Sequence, residues 1–148
     1  MPNLHLAVQI VSECVDIPDK RQFRQWARAA VRVDTEVTIR IVDEAEGRAL
    51  NLAYRGKDYA TNVLTFVLEE TPHLQGDIVI CAPVVATEAK AQHKSLAAHY
   101  AHLTVHGILH LHGYDHEKEA PAELMEAIET AILAKLGYAN PYLVIQDA

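Results

Sequence analysis

A cluster of histidines in the last third of the chain has the spacing of a metal site. His106 and His110 are four residues apart, so on a helix they project from the same face, one turn above each other. Gly113 can adopt backbone conformations that end a helix and turn the chain, which would bring His116 towards the same point. Three neutral imidazoles suit a zinc ion. The spacing therefore predicts one zinc ion per chain, bound by His106, His110 and His116.

The same segment has the histidine and glycine spacing of the metzincin proteases, H-E-x-x-H-x-x-G-x-x-H. Gly107 stands where those proteases carry the glutamate that activates water, so peptide hydrolysis is the weaker interpretation. Three protein ligands leave a fourth coordination position for water or substrate, whereas structural zinc sites usually have four ligands, mostly cysteines. The pattern therefore favours a catalytic metal site.

Other histidines of this segment are expected to play different roles. His112 projects away from His110 on a continuous helix, so we expect it not to bind the metal. His99 and His102 share the face of His106, but they lie about two turns and one turn away from it. For these two residues we expect packing or an orienting hydrogen bond rather than coordination.

Hydrophobic periodicity predicts the elements that must position these histidines. It indicates an α+β fold in a single domain over residues 1–148, with a four-stranded mixed sheet packed by helices and the three-histidine site at a helix end. The strands are predicted at 4–11, 37–42, 63–68 and 78–81, and the helices at 18–33, 44–54, 83–112 with a break near Ser95, and 121–137.

Composition restricts the function classes. The chain has 148 residues, 13 Lys and Arg against 20 Asp and Glu, and a formal charge of −7, which argues against a general nucleic-acid binder because phosphate affinity is largely electrostatic. The first predicted helix nevertheless carries a stripe of arginines, which is either a solvated face or a contact for an RNA backbone. The stripe consists of Arg21, Arg24, Arg28 and Arg32.

Targeting signals and cysteine usage predict a cytoplasmic protein without membrane contact. No apolar run approaches the ~18 residues of a membrane span, and the N-terminus lacks the basic region and the cleavage site of a signal peptide. Cys14 and Cys81 lack metal-type spacing, so we expect two reduced thiols.

Two motifs carry a resemblance to a known family. Residues 51–66 read N-L-A-Y-R-G-K-D-Y-A-T-N-V-L-T-F, which resembles the N-x-x-Y-R-x-K-D-x-x-T-D-V-L-S-F motif of the YbeY family. Residues 106–116 read H-G-I-L-H-L-H-G-Y-D-H, which is similar to the family's H-G-x-L-H-L-x-G-Y-D-H, and residues 76–78 resemble its G-D-I strand entry. The chain departs from the first motif at Asn62, where the family has aspartate, at Thr65, where serine is usual, and at Val67, where proline often follows.

The resemblance implies a zinc-dependent, single-strand-specific endoribonuclease that acts in 16S rRNA 3′-end maturation and in ribosome quality control. It implies single-stranded RNA or rRNA as substrate, the ribosome or ribosomal proteins as partners, and no DNA. It also implies His106, His110 and His116 as zinc ligands, with Arg55 and His106 as catalytic residues.

Arg55 and Asp115 have chemically specific interpretations and ordinary ones. The planar guanidinium of Arg55 could hold two phosphate oxygens as charge develops on them, or it could form a surface salt bridge with Asp58. Asp115 could orient His116 through a hydrogen bond or simply stabilise a turn. At the level of function, the alternatives are a non-catalytic ribosome-assembly factor with a structural zinc ion and a metzincin-like metalloprotease that lacks the usual glutamate.

Overall fold

A computed structural model describes residues 1–114 and 119–143, with the side chains of the second range described from residue 122 onward. The strands are β1 (Leu4–Ile10), β2 (Thr35–Val42), β3 (Val63–Glu69) and β4 (Leu74–Cys81). The helices are α1 (Lys20–Ala30), α2 (Glu44–Arg55), α3 (Ala82–Ala91), α4 (Leu96–Leu111) and α5 (Glu119–Lys135).

The strands form one mixed sheet in the order β1-β2-β4-β3. β1 and β4 both pair with β2 in parallel, whereas β3 pairs with β4 in the antiparallel direction and forms one edge of the sheet. The predicted α+β fold with a four-stranded mixed sheet packed by helices is therefore confirmed.

The two faces of the sheet are covered by different helices. Ile78 and Ile80 of β4 belong to the main core, while Val79 and Cys81 belong to a second cluster, because alternate side chains of a strand point to opposite faces. Leu50 of α2 packs against the second cluster. The main core also contains Ile39 of β2, Phe23 and Trp26 of α1, and Tyr100 and Ile108 of α4.

The predicted break near Ser95 separates α3 from α4. The Ser95 hydroxyl accepts a hydrogen bond from the backbone N–H of Ala98 at 3.0 Å, as an N-cap serine does at the start of a helix. At its other end, α4 stops at Leu111 and Gly113 adopts a φ of 94°. This left-handed conformation is accessible to glycine and allows the chain to leave the helix where the sequence predicts that it does.

The predicted start of β4 was too late. The strand was expected at residues 78–81, but β4 begins at Leu74 and pairs there with β2. Gly76 lies within this strand, where it serves a close approach to its neighbours. A Cβ at this position would lie 2.6 Å from Leu111 Cδ2 and 2.7 Å from the Phe66 carbonyl oxygen.

We predict that Gly76→Ala lowers the free energy of unfolding by about 1–3 kcal/mol, because the added methyl group must displace the backbone of β3. Gly107→Ala is the matched control. Its nearest contacts would be side-chain atoms of the buried Ile78, Cδ1 at 2.9 Å and Cγ2 at 3.1 Å, and alanine improves helix propensity by ~1 kcal/mol, so we expect a smaller loss than in Gly76→Ala. Urea unfolding of both variants measures the difference, and an equal loss would contradict this account of Gly76.

Candidate functional site

A cleft of about 540 Å³ lies between the end of α2, β3 and α4. It is lined by Arg55 from α2 and by His106 and His110 from α4. The structure therefore brings together three of the four predicted site residues, although Arg55 and His106 are far apart in sequence. The fourth residue, His116, lies outside the described residues, as does Asp115.

Arg55 is exposed and is the last residue of α2. Gly56 follows with a φ of 70° and ends the helix. The predicted alternative, a salt bridge between Arg55 and Asp58, is wrong, because Arg48 binds Asp58 with two hydrogen bonds of 2.7 and 3.0 Å. Within residues 1–114 and 119–143, the Arg55 side chain has no hydrogen bond or ion pair. The guanidinium is consequently available to a ligand in the cleft.

Both cleft histidines use Nδ1 for hydrogen bonds within the protein. His106 Nδ1 donates to Glu129 Oε1 at 2.6 Å, and His110 Nδ1 donates to the backbone oxygen of Tyr114 at 3.1 Å. Metal-binding histidines almost always donate their second ring N–H to a carboxylate, a carbonyl or water. A metal held by these rings would therefore be coordinated through Nε2, and the donor set fits a zinc ion.

Glu129 is the centre of a buried polar network. Its side chain is 0% exposed and accepts hydrogen bonds from His106 Nδ1, from His102 Nε2 at 2.9 Å and from the Tyr142 hydroxyl. Burial opposes its ionisation, but the hydrogen bonds from His102 and His106 outweigh this effect and bring the pKa of Glu129 to about 2. Burial also lowers the pKa of His102. An ionised Glu129 accepts but cannot donate, which fixes the proton of His106 on Nδ1.

Glu129 was not among the residues predicted from the sequence. A signal was nevertheless present in the spacing of the apolar residues around Glu129. Met125 lies four residues before it, and Ile132 and Leu133 lie three and four residues after it. All three are buried. A glutamate in the apolar stripe of an amphipathic helix is unusual. Such a residue is expected to have a specific hydrogen-bond partner inside the protein.

A second ligand set overlaps the predicted one. His102, His106 and Glu129 each place a ligand atom within 4.8 Å of the others, and these three residues could hold a metal ion. His102 was expected to pack or to form an orienting hydrogen bond, and its contact with Glu129 is a hydrogen bond. His106 is common to both sets.

Asn62, one of the departures from the family motif, forms a contact that an aspartate could not form. Its amide Nδ2 donates to Glu88 Oε1 at 3.0 Å, and the ring of His99 contacts the same oxygen at 2.9 Å. The hydrogen bond from His99 is the main reason why the pKa of Glu88 is lowered. A carboxylate at position 62 would face that of Glu88, so the amide fits this environment.

His112 contributes to packing between helices. Its Nδ1 donates to the Ile108 oxygen at 2.7 Å, and its Nε2 accepts from the backbone N–H of Arg32 at 3.1 Å. The ring does not line the cleft, and the expectation that His112 binds no metal stays a prediction.

The arginine stripe lies on the exposed face of α1 and just beyond its end. Its residues are exposed, and none of them lines the cleft between α2, β3 and α4. Arg28 donates to the backbone oxygen of Pro2 at 2.9 Å. The stripe is therefore separate from the site that contains Arg55.

Gly107 occupies the position of the protease glutamate and faces the sheet, where a Cβ would lie 2.9 Å from Ile78 Cδ1. A glutamate there would enter the apolar core instead of the cleft. The metalloprotease interpretation consequently loses its support.

Two smaller expectations concern cysteines and membranes. Cys14 and Cys81 are both free thiols, as predicted. Within the described residues, no helix combines the length and the apolar character that a membrane span requires.

The family model and the relatives in sequence share one description. The family model described as Endoribonuclease YbeY matches residues 9–137. A protein of that name from Methylobacillus flagellatus is 66% identical over 142 residues, which cover 96% of this chain and 95% of that protein. Another from Nitrosomonas europaea is 55% identical over 141 residues, covering 95% and 86%. A Thermotoga maritima protein with a solution structure has a TM-score of 0.58 at 26% identity, covering 89% of this chain and 91% of that one.

We predict that Glu129→Gln lowers zinc affinity about 10- to 100-fold, because the His106 ring loses its charged acceptor. Glu123→Gln on the exposed face of α5 is the control and should bind zinc like the unmodified chain. Zinc titration against a competing chelator measures both affinities, and circular dichroism checks the fold. Equal zinc affinities in the two variants would show that Glu129 does not support the metal site.

Proposed function

The chain belongs to the YbeY family of endoribonucleases, which hydrolyse RNA phosphodiester bonds, and from this premise we propose that it is a zinc-dependent enzyme that cleaves single-stranded RNA in the cleft between α2, β3 and α4. The proposed process is 16S rRNA 3′-end maturation and ribosome quality control in the cytoplasm. The ribosome or its proteins would be the partners, and DNA would not be a substrate. Membership of an enzyme family favours this function over a non-catalytic assembly factor.

One observation supports the location of the reaction. Arg55, His106 and His110 line the same cleft, which places a cation beside a pair of metal-type imidazoles. Scission of a phosphodiester concentrates negative charge on its non-bridging oxygens. An available guanidinium and a neighbouring Lewis-acid site would both stabilise this negative charge.

His106, His110 and His116 are the proposed zinc ligands, at one ion per chain. When bound, zinc would act as a Lewis acid towards a phosphoryl oxygen and would increase the acidity of water. Glu129 holds the Nδ1 proton of His106, and the Tyr114 carbonyl holds that of His110. These two contacts orient the rings, and a bound ion would be coordinated through Nε2 of each.

Arg55 is proposed to stabilise the charge that develops during scission. Its guanidinium can donate two parallel N–H groups to a pair of phosphate oxygens, which a lysine cannot do. The ion pair with Arg48 occupies the carboxylate of Asp58, which is three residues from Arg55 in sequence. Substrate phosphate therefore does not compete with Asp58 for this side chain.

Cleavage of a defined RNA by the purified chain tests the proposed function. We expect a single-stranded oligonucleotide to be cut internally, the same sequence in a duplex to remain intact, and Arg55→Ala to cut about a hundredfold more slowly with the fold preserved. Cleavage at an unchanged rate in Arg55→Ala preparations would indicate a contaminating nuclease. Digestion of a peptide with no effect on RNA would contradict the proposal.

We predict that His106→Ala, His110→Ala and His116→Ala each lose most of the bound zinc, because each removes one of three protein ligands. His112→Ala should retain about one zinc per chain. His102→Ala distinguishes the two ligand sets, since it should retain zinc if His110 and His116 complete the site. Elemental analysis of the five purified variants decides between them, and zinc loss in His102→Ala with retention in His110→Ala would overturn the proposed set.

We also predict that Arg55→Lys is nearly as impaired in cleavage as Arg55→Ala, by about a hundredfold in rate. Lysine keeps the charge, so the RNA affinity of Arg55→Lys should remain close to that of the unmodified chain. Single-turnover cleavage and equilibrium binding are measured at one salt concentration, because RNA affinity changes with salt. Near-normal cleavage by Arg55→Lys would show that Arg55 acts only as a binding cation.

A further inference from the structure

Two tyrosines expose their rings in the same cleft as Arg55 and the histidines. The side chains of Tyr54 and Tyr59 line the cleft and are 68% and 54% exposed. Other aromatic residues of this chain, such as Phe23 and Tyr100, are buried in the core. Since the core does not need these two rings, their position in the cleft requires another explanation.

The ring of Tyr54 and the backbone of Tyr59 are held in place by the surrounding structure. The ring of Tyr54 packs against Phe66 with a centroid distance of 4.9 Å. The backbone oxygen of Tyr59 accepts a hydrogen bond of 2.7 Å from the amide of Asn51, which is fully buried. A ring on a supported backbone loses little conformational entropy when it binds a ligand. Tyr54 and Tyr59 are therefore suited to binding a flat ligand.

The side-chain charges around the cleft provide little attraction for an RNA strand. Arg55 is the one cationic side chain among the described residues that line it, Arg48 is paired with Asp58, and the whole chain carries a charge of −7. Beyond the phosphate at the proposed zinc ion, the attraction of side-chain charges for an RNA strand would consequently be weak. Stacking of bases on aromatic rings provides affinity that does not depend on charge and that tolerates any sequence.

We propose that Tyr54 and Tyr59 form a stacking subsite for unpaired nucleobases of the RNA strand whose backbone Arg55 contacts. This inference rests on the proposed function and adds the residues that would favour single strands. Bases in a duplex are stacked on one another and cannot offer their faces to a protein ring. A single strand can place bases against both tyrosines while its backbone passes Arg55 and the histidines.

Binding of nuclease-resistant 2′-O-methyl octamers, followed by fluorescence anisotropy, tests the subsite. The probes are an adenosine octamer, an abasic octamer with the same backbone, and a fully paired duplex. We expect Tyr54→Ala and Tyr59→Ala each to weaken binding of the adenosine octamer about 5- to 100-fold and to leave binding of the abasic octamer unchanged. Tyr54→Phe and Tyr59→Phe should bind like the unmodified chain because they keep the ring.

Two controls separate stacking from structural effects. Tyr54→Leu keeps an apolar contact with Phe66 without an aromatic face, so it should fold normally and bind like Tyr54→Ala. Leu124→Ala removes a side chain that is 56% exposed on α5 and lies outside the cleft, so it should not affect binding. The tyrosine variants should also keep the salt dependence of the unmodified chain, because stacking releases no counterions from the RNA.

Several results would overturn the subsite. Equal weakening for the adenosine and abasic octamers would show that the rings only shape the cleft. Unchanged octamer binding in the tyrosine variants would assign the exposed rings to another partner, such as a protein. If the unmodified chain neither binds the octamers nor cleaves RNA, the proposed function fails, whereas cleavage with normal binding by the tyrosine variants removes only the subsite.

Discussion

The packing of α4 against β4 is the constraint on which the rest of the site depends. Gly107 faces Ile78, so one side of α4 approaches the sheet closely, and His106 and His110 line the cleft on another side. Gly76 allows the same approach near Leu111, at the end of the helix. The small residues at this contact determine how close α4, and with it the two imidazoles, lies to the sheet. The close-packed interior resists any shift of the helix.

Glu129 adds a second constraint, which acts on the direction of the rings. Burial of an isolated carboxylate costs free energy. Hydrogen bonds from two histidines and a tyrosine offset this cost for Glu129. Networks of this kind hold their members in one arrangement because each lost bond leaves a buried polar group unsatisfied. The core of the chain thus includes a polar group whose main effect is to orient His106.

At the surface, the pairing of charged side chains near Arg55 determines whether Arg55 is available to a ligand. Asp58 is three residues from Arg55, but its two hydrogen bonds go to Arg48. Arg48 lies two turns before Arg55 on α2, where its guanidinium can bind the Asp58 carboxylate with two hydrogen bonds. An exposed ion pair of this type stabilises a fold very little. Its larger consequence is that the cation at the end of α2 remains available inside a cleft of an acidic protein.

The sequence by itself determined the features that depend on local spacing. The pair His106 and His110 on one helix, the break at Ser95 and the mixed sheet of four strands all follow from periodicity, capping or turn residues within short windows. Only the tertiary structure decided which distant residues meet these elements. Glu129 lies 23 residues from His106, and Arg48 lies 10 residues from Asp58. The early start of β4 was missed, because a glycine required by a neighbouring side chain looks the same in sequence as a glycine required by a bend.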